Sequence, residues 1–371
     1  DATQEEESEN SDENDAEKVY DAIIVGAGAA GVGVAIALGH SGVENYLVVD
    51  RDKVGSSFAS WPAETRFITP SFPSNSIGML DLNSIAISVS PAFSMRVEHP
   101  TGQQYAAHLQ GLADYFEIPI RESTDVKSIE KIDELFHLET DGHTLRARNV
   151  IWAAGEYQYP SLNIFEGSEH CRHTSSVSKY GDLDGDDFII IGGYESGIDA
   201  AYHLAKCGKK VRVFDLSGPW KEESSDPSIA LSTFSFERME HPSFGENVEL
   251  FAETPIQSVT FENGIYEVKT EDGQVFHSKV KPLLASGFDG SHKFVSHLFE
   301  EREDGFPSLT ERDESTILPG MFLCGPSVRH DGHIFCFIFK YRQRFAIVAQ
   351  AIASSFDLPT EDFVEAYKGW G

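Results

Sequence analysis

Three glycines and an acid near the start of the chain have the types and spacing to hold a dinucleotide. Gly26, Gly28 and Gly31 follow the spacing G-x-G-x-x-G, directly after the apolar run Ile23–Val25, and Asp50 closes the next β-type run, Tyr46 to Val49. Gly26 permits a tight turn, Gly28 lets backbone approach a pyrophosphate, and Gly31 lets a helix pack close to the preceding strand. The helix that this turn opens offers free N–H groups and the positive end of its dipole to phosphate, through Ala29, Ala30 and Gly31. Asp50 can accept from a ribose hydroxyl, and Arg51 adjoins it.

A second set repeats the pattern. Phe188–Ile191 leads into Gly192-Gly193-Tyr194-Glu195-Ser196-Gly197, a helix through about Cys207, and a β run Val211–Phe214 ending on Asp215. The middle glycine is replaced by Tyr194, so either Gly193 compensates through a shifted turn or nucleotide binding is weakened. We expect a nucleotide site here, with Glu195 and Ser196 at its helix start. Asp215 favours a free ribose 2′-hydroxyl over a 2′-phosphate, hence NADH over NADPH, with Ser217 and Lys221 as the groups that would offset it.

Both acids lie inside a larger repeat. Each βαβ unit is followed by an irregular excursion (Arg51 to about Ser94; Leu216–Asn247) and an antiparallel meander. The first meander reads as Asp125–Glu130, Leu135–Thr140 and His143–Arg146, with an Asp141-Gly142 turn. The second reads as Ile256–Phe261, Ile265–Thr270 and Val275–His277, and the two end in the small-residue breaks Ala153-Ala154-Gly155 and Ala285-Ser286-Gly287. A repeat of this size means duplicated domains. Between the first excursion and the first meander, Gly102–Phe116 reads as an amphipathic helix with Tyr105, Leu109, Leu112 and Phe116 on one face. At the end, Met321–Cys324 reads as a strand, followed by Gly325-Pro326-Ser327 and a long aromatic helix from about Gly332 or His333. That lone strand and helix are expected to complete the first domain's sheet.

This sets the fold class as α/β, with two Rossmann-like three-layer dinucleotide-binding domains, the second inserted in the first. The expected boundaries are a disordered acidic tail over 1–18, a first domain over 19–157 plus 286–371, and a second over 158–285. The 371 residues carry 60 acidic and 29 basic side chains, a formal charge of −31. That sign argues against nucleic acid or an anionic membrane as partner, and no apolar segment is long enough to span a bilayer. Cys171, Cys207, Cys324 and Cys336 form no C-x-x-C pair, so the usual redox dithiol and zinc knuckle are absent, and free thiols fit a reducing, cytoplasmic location. The chain begins at Asp1 without a recognisable signal peptide, a start that processing would explain. The partner expected is a small-molecule substrate, and a homodimer is left open.

The arrangement resembles the two-dinucleotide-binding-domain flavoproteins over nearly the whole chain after the tail. WAAGEYQYP (Trp152–Pro160) is similar to the A-T-G-x-x-x-x-P signature of flavin-containing monooxygenases, with Ala154 in place of Thr. VGSSF (Val54–Phe58) is similar to their G-G-x-W turn, and FEGSEHCRHTS (Phe165–Ser175) is a loose echo of F-x-G-x-x-x-H. The resemblance implies FAD at the first site and NADH or NADPH at the second. Gly26, Gly28, Gly31 and Asp50 would hold the FAD pyrophosphate and ribose, Gly55 and Ser57 would lie along its phosphates, and Val126 would meet its adenine. Ala154 and Gly155 would pass close to it, and Gly325 and Ser327 would reach the ribityl chain, although Pro326 and Ser327 replace the family's usual acid. The C-terminal helix would point at the isoalloxazine.

Three functions follow. The first is hydride transfer from nicotinamide to FAD and on to oxygen and a small organic substrate, as in the monooxygenases; the aromatic supply suits a dry pocket. The second is a disulfide or quinone reductase without C-x-x-C, as bacillithiol disulfide reductase is proposed to be. There Cys324 and Cys336 flank the flavin-proximal turn, although buried apolar thiols are their simpler reading. The third is a non-catalytic, FAD-binding redox sensor, which Tyr194 would favour. Arg329 and His330 are the candidate catalytic groups, to stabilise charge on reduced flavin or hold an acidic substrate; a solvated loop capped by Asp331 is the alternative. No metal site is expected from the H-x-x-H at His330 and His333.

Overall fold

Alternation in the central strands decides the layering. A computed structural model describes residues 18–74, 78–226 and 228–368; the acidic tail, apart from Lys18, lies outside the described residues. In strand β1 (Val19–Val25), Ala22 and Ile24 face one apolar layer while Ile23 and Val25 face another, and all four are buried. The first layer is helical. It comprises α1 (Ala29–His40), α2 (Gly102–Tyr115) and a C-terminal helix, and holds Tyr105, Leu109, Phe345 and Ile352. The second is the meander, with Ile129, Phe136, Leu138 and Leu145 fully buried. Burying an Ile side chain on either face contributes roughly 1.5–3 kcal/mol, so the period-2 register is strongly fixed.

Strands β1, β2 (Tyr46–Val49), β3 (Ile120–Arg121), β4 (Ser128–Ile132), β5 (Leu135–Glu139) and β6 (Thr144–Trp152) form one sheet in the order β3-β2-β1-β6-β5-β4. The first three and β6 run parallel, and β5 and β4 fold back as the antiparallel meander. The short run expected at His143–Arg146 and the apolar run after it are a single nine-residue strand, β6. Its first half pairs with the meander. Its second half leaves that partner and pairs with Met321–Leu323, so the C-terminal strand joins the first sheet in parallel.

The second sheet contains Arg172–His173 (β7), Asp187–Ile191 (β8), Lys210–Phe214 (β9), Val248–Phe251 (β10) and Leu283–Leu284 (β14). All run parallel, in the order β10-β9-β8-β14-β7. Helix α3 (Glu195–Lys206) packs on it, with Ile198, Ala201 and Leu204 buried. The meander Ile256–Glu262 (β11), Ile265–Thr270 (β12) and Val275–Ser278 (β13) forms its own sheet.

The C-terminal helix does not begin near Gly332. Asp331 (φ +35°) and Gly332 (φ +82°) turn a tight hairpin that pairs Arg329–His330 with His333–Ile334. Residues 335–337 stay non-helical, and helix starts only at Ile338. A single turn of 3-10 helix at Arg342–Arg344 then leads into Phe345–Ser355. The aromatic run concealed an Asp-Gly hairpin signal of the kind that closes two-residue turns.

Candidate functional site

The first glycine turn is built as its spacing requires. Gly26 takes φ +110°, and Ala153, just past the end of β6, lies directly against it, leaving no room for a side chain. A Cβ on Gly31 would overlap the Gly26 carbonyl. Gly28 is different: its backbone is extended (φ −83°, ψ −166°), and a Cβ there would meet only open space. This is the face on which the first N–H groups of α1 stand unpaired by the helix itself. Asp50 is buried beneath the turn. Its Oδ2 accepts from Ala27 N (2.7 Å) and its Oδ1 from Asp52 N (2.8 Å). Burial pushes the Asp50 carboxyl up from its ordinary value, while those two donors pull it back. With one donor per oxygen, two acceptor positions remain for a ligand. Gly55, at φ +70°, sits against Ala106 and donates to the Ala27 carbonyl, which ties the one-turn helix Ser56–Ala59, bearing Ser57, to the turn.

Two cavities meet here. A smaller one, about 170 Å³, is walled by Gly26, Asp50, Arg51, Val126 and Ala154 among others. The larger, about 420 Å³, runs from Gly28, Ala29, Ala30 and Ser57 past Ala154, Gly155 and Pro326 to Cys336, Phe337 and Ile338. It continues to Glu195, Ser196 and Asp199 on α3, so the starts of both glycine-turn helices line one cavity. Aromatic side chains form much of its wall, including Phe58, Trp61, Phe67 and Phe288.

The second glycine turn keeps the backbone and changes the ligand face. Gly192 takes φ +100° against Ala285, and Gly197 packs on the Gly192 carbonyl. Tyr194 has φ −81° and ψ −165°, which superposes on Gly28, so no shifted turn at Gly193 is needed. Its side chain therefore enters the space that Gly28 leaves open, and its hydroxyl donates to the Ala230 carbonyl (3.1 Å). Gly193 lies under the ring of Trp220. Glu195 is committed to the excursion, accepting from Ser232 N (2.5 Å), Ser232 Oγ (3.2 Å) and Ser235 Oγ (2.5 Å). Asp215 Oδ2 accepts from Gly193 N (2.7 Å); its Oδ1 takes Ser217 N, Gly218 N and Ser217 Oγ.

Several expected residues stand elsewhere. His330 Nε2 is 2.5 Å from Asp313 Oδ1, in a network that Arg344 completes from 2.8 Å, and it lines neither cavity. Asp313 has no exposure, so this network anchors the hairpin rather than presenting His330 to a substrate. Arg329 stacks over Phe306 and donates to the Pro326 and Val328 carbonyls; burial is the main cause pushing its guanidinium below the usual value. Ser327 is buried against His292, Oγ to Nδ1 3.1 Å, and Gly325 packs beside Ala30. Of the cysteines, Cys324 is buried in the core and Cys336 lines the larger cavity. Among the described residues there is no group of three or more His, Cys, Asp or Glu placed to hold a metal. No described helix is long and apolar enough to cross a membrane.

Sequence reasoning missed how the two halves are tied. Glu64 accepts from Tyr180 N (3.1 Å) and Gly181 N (3.0 Å), and Thr65 Oγ1 donates to Asp199 Oδ2 (2.6 Å). Asp199 also pairs with Arg238, and His203 Nε2 is 3.3 Å away. Burial alone would raise the Asp199 carboxyl, but these partners hold it below its ordinary value. Glu156 was missed as well, although it lies inside the A-A-G-E-Y-Q-Y-P stretch; it lines the larger cavity.

Two glycine-turn folds facing one cavity, one with an open phosphate-binding face at Gly28, define an oxidoreductase of the paired-dinucleotide class. The comparisons agree. The chain belongs to the pyridine nucleotide-disulphide oxidoreductase family, whose pattern it matches over residues 23–325. Bacilliredoxin reductase Bdr of Bacillus subtilis is 25% identical over 321 residues, covering 82% of this chain and 88% of that protein. An uncharacterized oxidoreductase, CzcO, of Bacillus velezensis is 26% identical over 194 residues, and there the match spans 52% of the relative's length. Among solved structures, bacillithiol disulfide reductase Bdr (YpdA) from Staphylococcus aureus gives a TM-score of 0.74 at 19% identity, covering 91% of this chain and 99% of that one. A flavin-containing monooxygenase from Stenotrophomonas maltophilia gives 0.66 at 15%, covering 91% and 99%. At these identities the structures speak for the fold alone.

Proposed function

We propose that the protein is an FAD-dependent NAD(P)H oxidoreductase that passes electrons to a small-molecule acceptor. The observation that carries this is the single cavity lined by both helix starts, Gly28–Ala30 and Glu195–Ser196. FAD fits the first site on this structure's own terms: an open face at Gly28, unpaired helix N–H groups, and two free acceptor positions on Asp50. Gly28, Ala29, Ala30, Asp50 and Ser57 would hold its diphosphate and ribose, and Val126 and Arg51 its adenosine end. When bound, FAD supplies the two-electron relay between nicotinamide and acceptor. The chain's part is to position both and limit water, to which the Phe58, Trp61 and Phe67 wall would contribute.

Disulfide reduction is the reading we favour for the acceptor. One NAD(P)H and one proton convert one disulfide, R–S–S–R, to two thiols. Cys336 in the cavity and the long match to bacilliredoxin reductase Bdr support it. Monooxygenation is the second reading, supported by the aromatic wall. The test is anaerobic mixing of the FAD-loaded protein with NADH and then NADPH, following the flavin absorbance. Bleaching by either supports the oxidoreductase reading, and bleaching by neither refutes it. Reoxidation by a low-molecular-weight disulfide without oxygen then separates reductase from monooxygenase.

A further inference from the structure

Four carboxylates line the larger cavity: Asp50, Glu156, Glu195 and Asp199. Three are already committed. Asp50 holds the glycine turn, Glu195 accepts from Ser232 and Ser235, and Asp199 pairs with Arg238 and Thr65. The Glu156 side chain alone has no hydrogen bond or ion pair among the described residues. Its backbone is fixed: Gly155 takes φ +67° and accepts from Ser291 N, and the Glu156 carbonyl accepts from Tyr159 N. The side chain is therefore delivered to the cavity by a rigid turn and left without a donor. Burial pushes its carboxyl up, and Arg329, which faces it from the hairpin segment, pulls it down. Tyr341 faces it from the C-terminal helix. A half-buried carboxylate without a donor carries part of the cost of leaving water, and a ligand that brings a charged donor offsets that cost. The charge of the whole molecule, −31, adds a field that concentrates cations at its surface.

We propose that Glu156 is the recognition group for a cationic acceptor, one carrying an ammonium group that pairs with the Glu156 carboxylate inside the aromatic-walled cavity. This rests on the oxidoreductase reading for the location of the substrate, but its test is a binding measurement that needs no turnover. Three disulfides of similar size serve as probes: cystamine with two ammonium groups, 2-hydroxyethyl disulfide with none, and 3,3′-dithiodipropionate with two carboxylates. Each is titrated calorimetrically into the oxidised, FAD-loaded protein at pH 8. Cystamine is expected to bind about ten- to a hundredfold more tightly than the neutral probe, the range of one charge-assisted hydrogen bond, and the diacid more weakly than either. In Glu156→Gln the cystamine preference collapses to within about threefold of the neutral probe, which binds as before. Equal binding of cystamine and the neutral probe, or no binding of cystamine, overturns the proposal. So does a Glu156→Gln protein that loses FAD, because the carboxylate would then serve the cofactor. If cystamine binds with the expected preference yet no disulfide reoxidises the flavin, Glu156 stands and the reductase reading falls.

Discussion

A methyl group added at Gly28 should cost cofactor and little stability, whereas the same methyl at Gly31 should cost the fold. At Gly28 the backbone has φ −83°, which any residue adopts, and a Cβ would project into open cavity. Replacing an N-cap glycine by alanine loses up to about 1 kcal/mol of capping preference. The stiffer unfolded chain returns about 0.4–1 kcal/mol. Gly28→Ala should therefore unfold within about 1 kcal/mol of the parent. Its methyl, however, stands where a diphosphate must approach the first N–H groups of α1. Losing one charge-assisted contact of about 1.5–3 kcal/mol weakens FAD roughly ten- to a hundredfold. At Gly31 the methyl would overlap the Gly26 carbonyl, a backbone atom that cannot turn aside. Helix and turn must separate, at about 3 kcal/mol or more. Urea unfolding of the apo proteins gives the first quantity, and FAD fluorescence quenching gives the second. A Gly28→Ala protein that keeps parental FAD affinity, or one as unstable as Gly31→Ala, would refute the assignment of this face to the diphosphate.

Three more expectations follow from the second fold and the hairpin. Tyr194→Gly clears the space that Gly28 leaves open in the first fold, so NADH should bind about tenfold more tightly by fluorescence titration; weaker binding would show that the Tyr194 ring supports the nucleotide. Asp199→Asn strands the buried Arg238 and should destabilise the chain by about 3–5 kcal/mol in urea. Because the folded Asp199 carboxyl lies below its unfolded value, its contribution is fully present above the ordinary carboxylate range and is lost as pH falls through the folded value. The acid arm of the stability curve should therefore flatten in the variant. His330→Ala removes one partner of Asp313 while Arg344 remains, so stability should fall by about 1–2 kcal/mol; a collapse in the rate of flavin reduction by NAD(P)H would return His330 to the site.

The fold was legible because its signals are local and repeated. Ile23 and Ile24 could be read as a buried parallel strand, and the Asp141-Gly142 turn marked the first meander. The C-terminal helix was misread for the same kind of reason: seven apolar or aromatic residues between Gly332 and Phe345 carry helical composition, while Asp331-Gly332 imposes a hairpin. Long-range partners were illegible. Nothing near His330 in sequence announces Asp313, and nothing near Thr65 announces Asp199, 134 positions away. Such pairs are decided by how two folds dock, and composition carries no trace of them.

The two matched acids show why position in a motif does not settle use. Asp50 and Asp215 end equivalent strands, and each gives Oδ2 to the backbone of its glycine turn, at Ala27 and at Gly193. They part at Oδ1. Asp50 Oδ1 takes one donor, but Asp215 Oδ1 takes two backbone N–H groups and the Ser217 hydroxyl, more than its two lone pairs serve well. A ribose hydroxyl thus finds two places on Asp50 and, at best, the remaining position on Asp215 Oδ2. The charge of Asp215 still disfavours a 2′-phosphate, but its power to reward a 2′-hydroxyl is reduced. Discrimination between NADH and NADPH should therefore be weak in this protein and rest on the charge of Asp215 and the one position left on its Oδ2, so Asp215→Asn, which removes the charge, should shift the affinity ratio toward NADPH. An Asp215→Asn protein whose NADH-to-NADPH affinity ratio is unchanged would show that Asp215 does not read the ribose.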